Sequence, residues 1–287
     1  MIDQDDLHRV VTTALAEDLR YGPDATTAAT VPADAIATAS ISSRAFGTLA
    51  GLPAVRAVFD EVIGDYELLS TMEDGAKVRP GDDVLVVKAP VRKLLTAERT
   101  ALNLLCHLSG VATATAAWVE AVAGTGVAIR DSRKTLPGLR LLEKYAVRCG
   151  GGENHRLGLG DAILIKDNHV AAAGSVAAAL RAARTQAPHL PCEVEVDTLD
   201  QLEEALAEKA ELVLLDNFTP EHCTTAVKRV KDENAPTKLE VSGGLKLSEA
   251  RLYAETGVHY LSVGALTHSA PALDLGLDLN KNDDNNN

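Results

Sequence analysis

Between residues 130 and 170 the chain reads RDSRKTLPGLRLLEKYAVRCGGGENHRLGLGDAILIKDNHV, which gathers Arg130, Arg133, Lys134, Arg140, Lys144, Arg148, His155, Arg156, Lys166 and His169 into one stretch. Arginine forks match planar carboxylates in bidentate fashion, so such a cluster suits a small substrate with two carboxylates or a phosphorylated sugar. The plainer alternative is that Arg133 and Arg156 pair with Asp131 and Glu153. Two further sets lie downstream. Glu195 and Asp216 are hard oxygen donors, suited to Mg²⁺ shared with substrate phosphates, although a general acid/base pair reads equally well from the residues. Ser242, Gly243 and Gly244, and then Gly264, Ala265 and Leu266, are small-residue runs whose backbone N–H groups can approach an anion.

The surrounding pattern says how these sets meet. Short apolar runs (VAIRD, AILIK, CEVEV, LVLLD, KLEVS and YLSVG) alternate with helical patterns from residue 127 onward. That alternation predicts an α/β fold with parallel strands covered by helices. Each run ends in a group that can do chemistry, and the carboxyl ends of the strands in an α/β barrel open on one mouth. No GxGxxG follows a first strand, which disfavours a dinucleotide-binding sheet. The spacing fits a barrel or an open doubly wound sheet, and the strand ends favour the barrel; the expected organisation is an incomplete parallel barrel over residues 108–267. A small α+β domain over 1–107 precedes it and is rejoined by 268–280; the low-complexity segment 281–287 is expected to be disordered.

Within the first part, residues 5–19 have amphipathic helical spacing, 37–52 alternate like a strand, and 54–63 read as a helix. The stretch YELLSTM and then VLVVKAPVRKLL read as strands joined by a Gly/Pro turn. Thr96 is expected to cap a long helix, near whose start Arg99 reads as a solvated charge. Gly150, Gly151 and Gly152 are expected to form a flexible connection that positions His155 and Arg156.

With Lys+Arg 28 against Asp+Glu 41, the net charge of -13 argues against a broad nucleic-acid surface or an anionic membrane as partner. Any bound anion must meet a local basic cluster. The acidic balance would also suit a salt-rich cytoplasm. Cys106, Cys149, Cys192 and Cys223 form no CxxC spacing and read as reduced, mostly buried thiols. The acidic opening MIDQDDLHRVV is unlike a signal peptide, and no apolar run approaches the ~18 residues of a membrane span. The expected location is cytoplasmic.

The motifs DSRKTLPGLRLLEKYAVRCGGGENHR, LIKDNH, EVEVDTLDQL, LLDNF, LEVSGG and SVGALTHS closely resemble the carboxylating nicotinate-nucleotide pyrophosphorylases, or quinolinate phosphoribosyltransferases. The resemblance spans nearly the whole chain. It implies transfer of phosphoribose from 5-phosphoribosyl 1-pyrophosphate to quinolinate with loss of CO₂, giving nicotinate mononucleotide and pyrophosphate in NAD biosynthesis. On matching positions it implies that Arg99, Arg133, His155 and Arg156, with Lys166, hold the quinolinate carboxylates. Lys134 and Lys166 would face the pyrophosphate, and Glu195 and Asp216 would position Mg²⁺ and ribose hydroxyls. Ser242, Gly243, Gly244, Gly264, Ala265 and Leu266 would receive the 5-phosphate, with His268 closing that loop. It also implies a homodimer, or a higher oligomer, in which Arg99 reaches the neighbouring active site. Departures are confined to Pro23 after the first helix, Ser132 where threonine is common, and His259 where aspartate often stands.

Three other readings remain: a paralogue acting on another pyridine, a Schiff-base aldolase with Lys166 as nucleophile, and a non-catalytic phosphosugar-binding protein.

Overall fold

The computed structural model describes residues 2–280, so the tail expected to be disordered lies outside the described residues. In chain order the elements are α1 (Gln4–Asp18), α2 (Ala25–Thr30), β1 (Ile36–Ser43), β2 (Gly47–Thr48), α3 (Leu52–Val62), β3 (Glu67–Thr71), β4 (Lys77–Val78), β5 (Asp83–Pro90), α4 (Val91–Ala121), β6 (Ala128–Arg130), α5 (Arg140–Cys149), β7 (Ile163–Ile165) and α6 (Asp167–Ala173). They continue with α7 (Val176–Gln186), β8 (Cys192–Val196), α8 (Leu199–Ala207), β9 (Leu212–Asp216), α9 (Pro220–Asp232), β10 (Lys238–Ser242), a 3₁₀ turn at Leu247–Glu249, α10 (Ala250–Ala254), β11 (Tyr260–Ser262), α11 (Ala265–His268) and β12 (Leu275–Leu279).

Two compact units result. Among the described residues the first comprises 2–116, 135–151 and 267–280; the second comprises Ala117–Lys134 and Gly152–Leu266. This differs from the expected boundary after residue 107. The reason is that α4 is one unbroken helix of 31 residues, with no punctuation at that point. Residues 135–151, expected in the barrel, fall in the first unit because α5 buries Leu142, Ala146 and Val147 in that unit's core.

The first unit is α+β. An antiparallel sheet runs in the order β12-β1-β5-β3, and β2 pairs with β4. Helix α1 turns Leu7, Val10, Val11 and Leu15 inward at helical spacing, and Asp3 caps it by accepting the Asp6 N–H at 2.9 Å. Thr96 does not cap α4. The helix begins at Val91, directly after Pro90, and Thr96 lies inside it, donating its hydroxyl to Arg92 O at 2.9 Å. The expected strand through residue 95 therefore ends at Pro90, since a short apolar run does not by itself distinguish strand from helix.

By length and composition α4 is also apolar enough to cross a membrane, contrary to the expectation that no run approaches a span. Most of that apolar surface is buried, with Leu94, Ala97, Ala101, Leu105, Leu108 and Val111 in the core. Nor is the glycine run a loose hinge. A Cβ at Gly150 would collide with the Ala112 carbonyl and meet Thr115 Cβ at 2.6 Å, so glycine permits close helix packing there. The four cysteines are free thiols; Cys223 is buried and the other three are half-buried rather than mostly buried.

The second unit is a six-stranded all-parallel sheet in the order β6-β11-β10-β9-β8-β7, with helices between successive strands. It is a partial α/β barrel. Strands β6 and β7 do not pair with each other, and residue 153 fills part of the seam: Glu153 N donates to Ile129 O at 2.8 Å and Asp131 N to Glu153 O at 3.2 Å. The helices are capped from the strand loops. Thr198 and Gln201 form a capping box on α8, and Thr219 caps α9 ahead of Pro220. Helix α6, only seven residues, has no buried residue and no apolar period that announces it.

Candidate active site

Because strand side chains alternate, the parity of each strand decides what enters the lumen. Along β8, Glu193 and Glu195 share the inner face; along β9, Leu212, Leu214 and Asp216; along β10, Lys238, Glu240 and Ser242. The carboxyl-end members meet in a cavity of about 590 Å³ lined by Ser132, Arg133, Lys134, His155, Arg156, Leu164, Lys166, Glu195, Leu214, Asp216, Asn217, Ser242, Gly243, Gly244, Ser262 and Gly264. That volume holds a small ligand.

The structure therefore brings together most of the expected residues. Ala265, Leu266 and His268 are not among the lining: Leu266 is core, and exposed His268 pairs its Nδ1 with Ser269 Oγ at 2.6 Å. Arg99 is also not a lining residue. It sits on α4 with its side chain 65% exposed and 3.9 Å from Glu98. The basic stretch divides, since Arg140, Lys144 and Arg148 are carried by α5 in the first unit, where Lys144 is buried. His169 accepts the Lys166 backbone N–H on Nδ1 at 2.9 Å.

The loop after the seam is tied down from β6. Asp131, fully buried, accepts from Asn154 Nδ2 at 2.6 Å and from His155 N at 2.9 Å. His155 Nδ1 then accepts the Arg156 N–H at 2.7 Å, while Nε2 lies 2.8 Å from Glu193 Oε2. Burial disfavours the His155 imidazolium, but the Glu193 hydrogen bond and the charges of Glu240 and Glu193 outweigh it and raise its pKa. Asp161 closes the next turn by accepting Leu157 N at 2.6 Å and Gly158 N at 2.8 Å.

Electrostatically, the mouth is prepared for an anion. Burial first, and then the neighbouring charge of Arg133, lower the Arg156 pKa from its ordinary value. Lys166 Nζ donates to Glu195 Oε2 at 2.6 Å. Asp216 is shifted upward by burial; the charges of Lys166 and Lys134 oppose that shift, and those of Asp197 and Asp167 add to it. Glycine is required at 243, where φ is +95° and a Cβ would collide with Asn217 Oδ1 and lie 2.8 Å from Asn217 N.

Asn217 itself was not anticipated from the sequence. It takes a left-handed φ of 55°, donates Nδ2 to Asp216 Oδ2 at 2.7 Å, and gives its N–H to Ser242 O at 3.0 Å. An Asn directly after a strand-end Asp is the available signal, because Asn tolerates that conformation better than other side chains.

A partial parallel barrel that sets two arginines, two lysines, two carboxylates and a glycine loop around one cavity suits a small substrate rich in negative charge. Two family models agree with this: the quinolinate phosphoribosyl transferase N-terminal domain matches residues 24–109, and the C-terminal domain of the same family matches residues 111–278. The chain belongs to the quinolinate phosphoribosyl transferase family.

Among similar proteins, the nicotinate-nucleotide pyrophosphorylase [carboxylating] of Mycobacterium leprae is 61% identical over 269 residues, covering 93% of this chain and 94% of the relative. The human protein of the same name is 40% identical over 244 residues, covering 84% and 82%. Among solved structures, the nicotinate-nucleotide pyrophosphorylase from Francisella tularensis superimposes with a TM-score of 0.92 at 38% identity, covering 98% of each chain.

Proposed function

We infer that the chain transfers phosphoribose from 5-phosphoribosyl 1-pyrophosphate to quinolinate with decarboxylation, in the synthesis of NAD. The observation that carries this is that Arg133 and Arg156 line one small cavity together with His155, Lys134 and Lys166. Like charges held together are stabilised by a ligand with matching negative charges, and a vicinal dicarboxylate supplies them.

Arg133 and Arg156 would grip the carboxylates and keep the pyridine nitrogen facing C1 of the ribose, with Arg99 completing the grip from a second subunit of a homodimer. The nitrogen lone pair forms the N–C1 bond as the C1–O bond breaks, and pyrophosphate leaves with the electron pair. Lys134 and Lys166 would stabilise that leaving charge; orienting the two reactants contributes much of the rate. The ribosylated nitrogen is then cationic. Breaking the C2–carboxylate bond releases CO₂ and leaves the electrons on the carbon beside that cation, where a proton replaces it. Ser242, Gly243, Gly244 and Gly264 would receive the 5-phosphate, with Ala265, Leu266 and His268 in the segment that follows.

Magnesium fits the donor set. Asp216 and Glu195 offer hard carboxylate oxygens, and Mg²⁺ takes one or two protein carboxylates alongside substrate phosphates. With Lys166 on Glu195, Asp216 is the more available of the two. When bound, the ion supplies charge neutralisation to the pyrophosphate. The four free thiols accord with a cytoplasmic setting.

A Schiff-base aldolase needs a desolvated amine, whereas the Lys166 side chain is 46% exposed and sits on a carboxylate. Supplying quinolinate, nicotinate and nicotinamide separately with Mg²⁺ and phosphoribosyl pyrophosphate, while following pyrophosphate and CO₂, tests the assignment. Release of both products with quinolinate alone is expected. Borohydride trapping of a carbonyl adduct on Lys166 would overturn the assignment.

A further inference from the structure

Below the mouth, the lumen holds a second ring of charge. Arg130, Glu193 and Glu240 come from β6, β8 and β10, which are alternate strands in sheet order. Alternate strands share a layer in such barrels, and branched apolar residues ordinarily fill it. In this protein the layer contains an arginine and two glutamates, with Glu193 4% and Glu240 0% exposed. Arg130 Nη1 donates to Glu240 Oε2 at 2.8 Å, and its guanidinium lies 3.3 Å from the Tyr260 ring centroid.

His155 enters this layer through the seam between β6 and β7. Its Nε2 is 2.8 Å from Glu193 Oε2 and 3.5 Å from Glu240 Oε1. Its Nδ1 accepts the Arg156 N–H, and a ring nitrogen that accepts carries no proton. In the neutral ring the proton therefore sits on Nε2 and is donated to Glu193. The three donor atoms lie within 4.8 Å of one another, a spacing a metal ion could use. The hydrogen bonds argue against that use, because Nε2 is protonated and Arg130 already supplies the positive charge beside Glu240.

Burying two carboxylates is costly unless they are paired, and Oε1 of each has no hydrogen-bond partner among the described residues. Glu193 does not line the mouth cavity. What its contact secures is the orientation of the imidazole. If the proton moved to Nδ1, it would face the Arg156 N–H, donor against donor, and the backbone that carries Arg156 would lose its tie.

We propose that Glu193 is a positioning residue for dicarboxylate recognition: by accepting the His155 Nε2–H it fixes the tautomer whose bare Nδ1 receives the Arg156 N–H, and so sets Arg156 at the mouth. The proposal rests on the assignment of quinolinate as substrate. The Arg130–Glu240 pair holds the countercharge of the layer.

Histidine-selective ¹⁵N NMR of the full-length protein, with the His155 signal assigned by its loss in His155→Asn, reads the tautomer directly. With spectra recorded across pH and read where the ring is neutral, the expected result is an Nε2–H ring with an accepting Nδ1 in the wild type and in Glu193→Gln, whose carbonyl still accepts, and loss of that state in Glu193→Ala. Kinetically, Glu193→Ala should raise the quinolinate KM about tenfold to 10²-fold. The phosphoribosyl pyrophosphate KM should stay within about twofold, and Glu193→Gln should recover most of the loss. An Nδ1–H ring in the wild type, an unchanged quinolinate KM in Glu193→Ala, or an equal rise in both KM values would overturn it. A wild type that does not turn over quinolinate at all would instead sink the substrate assignment, leaving the NMR result to judge the hydrogen bond.

Discussion

Lys166 and Glu195 face each other across the β7–β8 pair, with Nζ 2.6 Å from Oε2. Lys166 stands at a strand end and Glu195 is nearly buried, so the lysine is held over the mouth by a carboxylate that cannot easily move away. Replacing Lys166 with Met should lower kcat about 10²-fold or more through lost stabilisation of the leaving pyrophosphate. Because the replacement also strips the nearly buried Glu195 of its cation, the urea unfolding midpoint should fall as well. Steady-state kinetics and urea titration check the two halves of this expectation.

Arg133→Ala or Arg156→Ala should reduce kcat/KM for quinolinate about 10²-fold to 10³-fold, while phosphoribosyl pyrophosphate still binds with near wild-type affinity. Lysine at either position should rescue poorly, because an ammonium lacks the planar fork. Calorimetry with each ligand decides the matter. Loss of both binding events in a folded variant contradicts the division of labour.

Gly243→Ala forces a side chain onto Asn217 and into a left-handed backbone. The strain of such a position is about 1–3 kcal/mol, and it falls on the loop that would receive the 5-phosphate. The KM for phosphoribosyl pyrophosphate should rise about tenfold, with the quinolinate affinity of the free enzyme little changed.

If Arg99 serves the neighbouring subunit, inactive Arg99→Ala and Lys166→Met homodimers should regain activity when unfolded and refolded together. Random pairing in a two-fold dimer restores about a quarter of the sites. No recovery would mean that Arg99 acts within its own chain or not at all.

Asp24 caps α2 by accepting the Thr27 N–H at 2.9 Å and the Thr27 hydroxyl, and these bonds hold its pKa below the ordinary 3.8. A depressed carboxylate contributes stability that is fully present above the unfolded value and is lost as pH falls through the folded one. Asp24→Ala should therefore cost about 1 kcal/mol at neutral pH. That penalty should shrink as the medium is acidified below 3.8, as read from urea midpoints across pH.

Much of the barrel could be read from the chain because each strand is a short apolar run with a polar terminus, and parallel topology forces those termini together. CEVEV, LVLLD and KLEVS coincide with β8, β9 and β10 residue for residue. What stayed hidden has a common physical cause. Glu193 and Glu240 look like surface positions in a half-polar strand, and only closure of the sheet into a lumen turns them inward. Asn217 is set by a backbone angle that spacing does not reveal. The assignment of α5 to the first unit depends on where Leu142, Ala146 and Val147 find their core, and helical periodicity alone gives no partner.

The seam between β6 and β7 leaves the sheet with two ends instead of none. An unpaired strand end is a template for a foreign strand, and long flat ones drive aggregation. Both ends in this protein are three residues long, and the backbone at Glu153 already occupies part of one. The opening that admits His155 and Arg156 into the wall is thus too short to recruit another chain by strand addition.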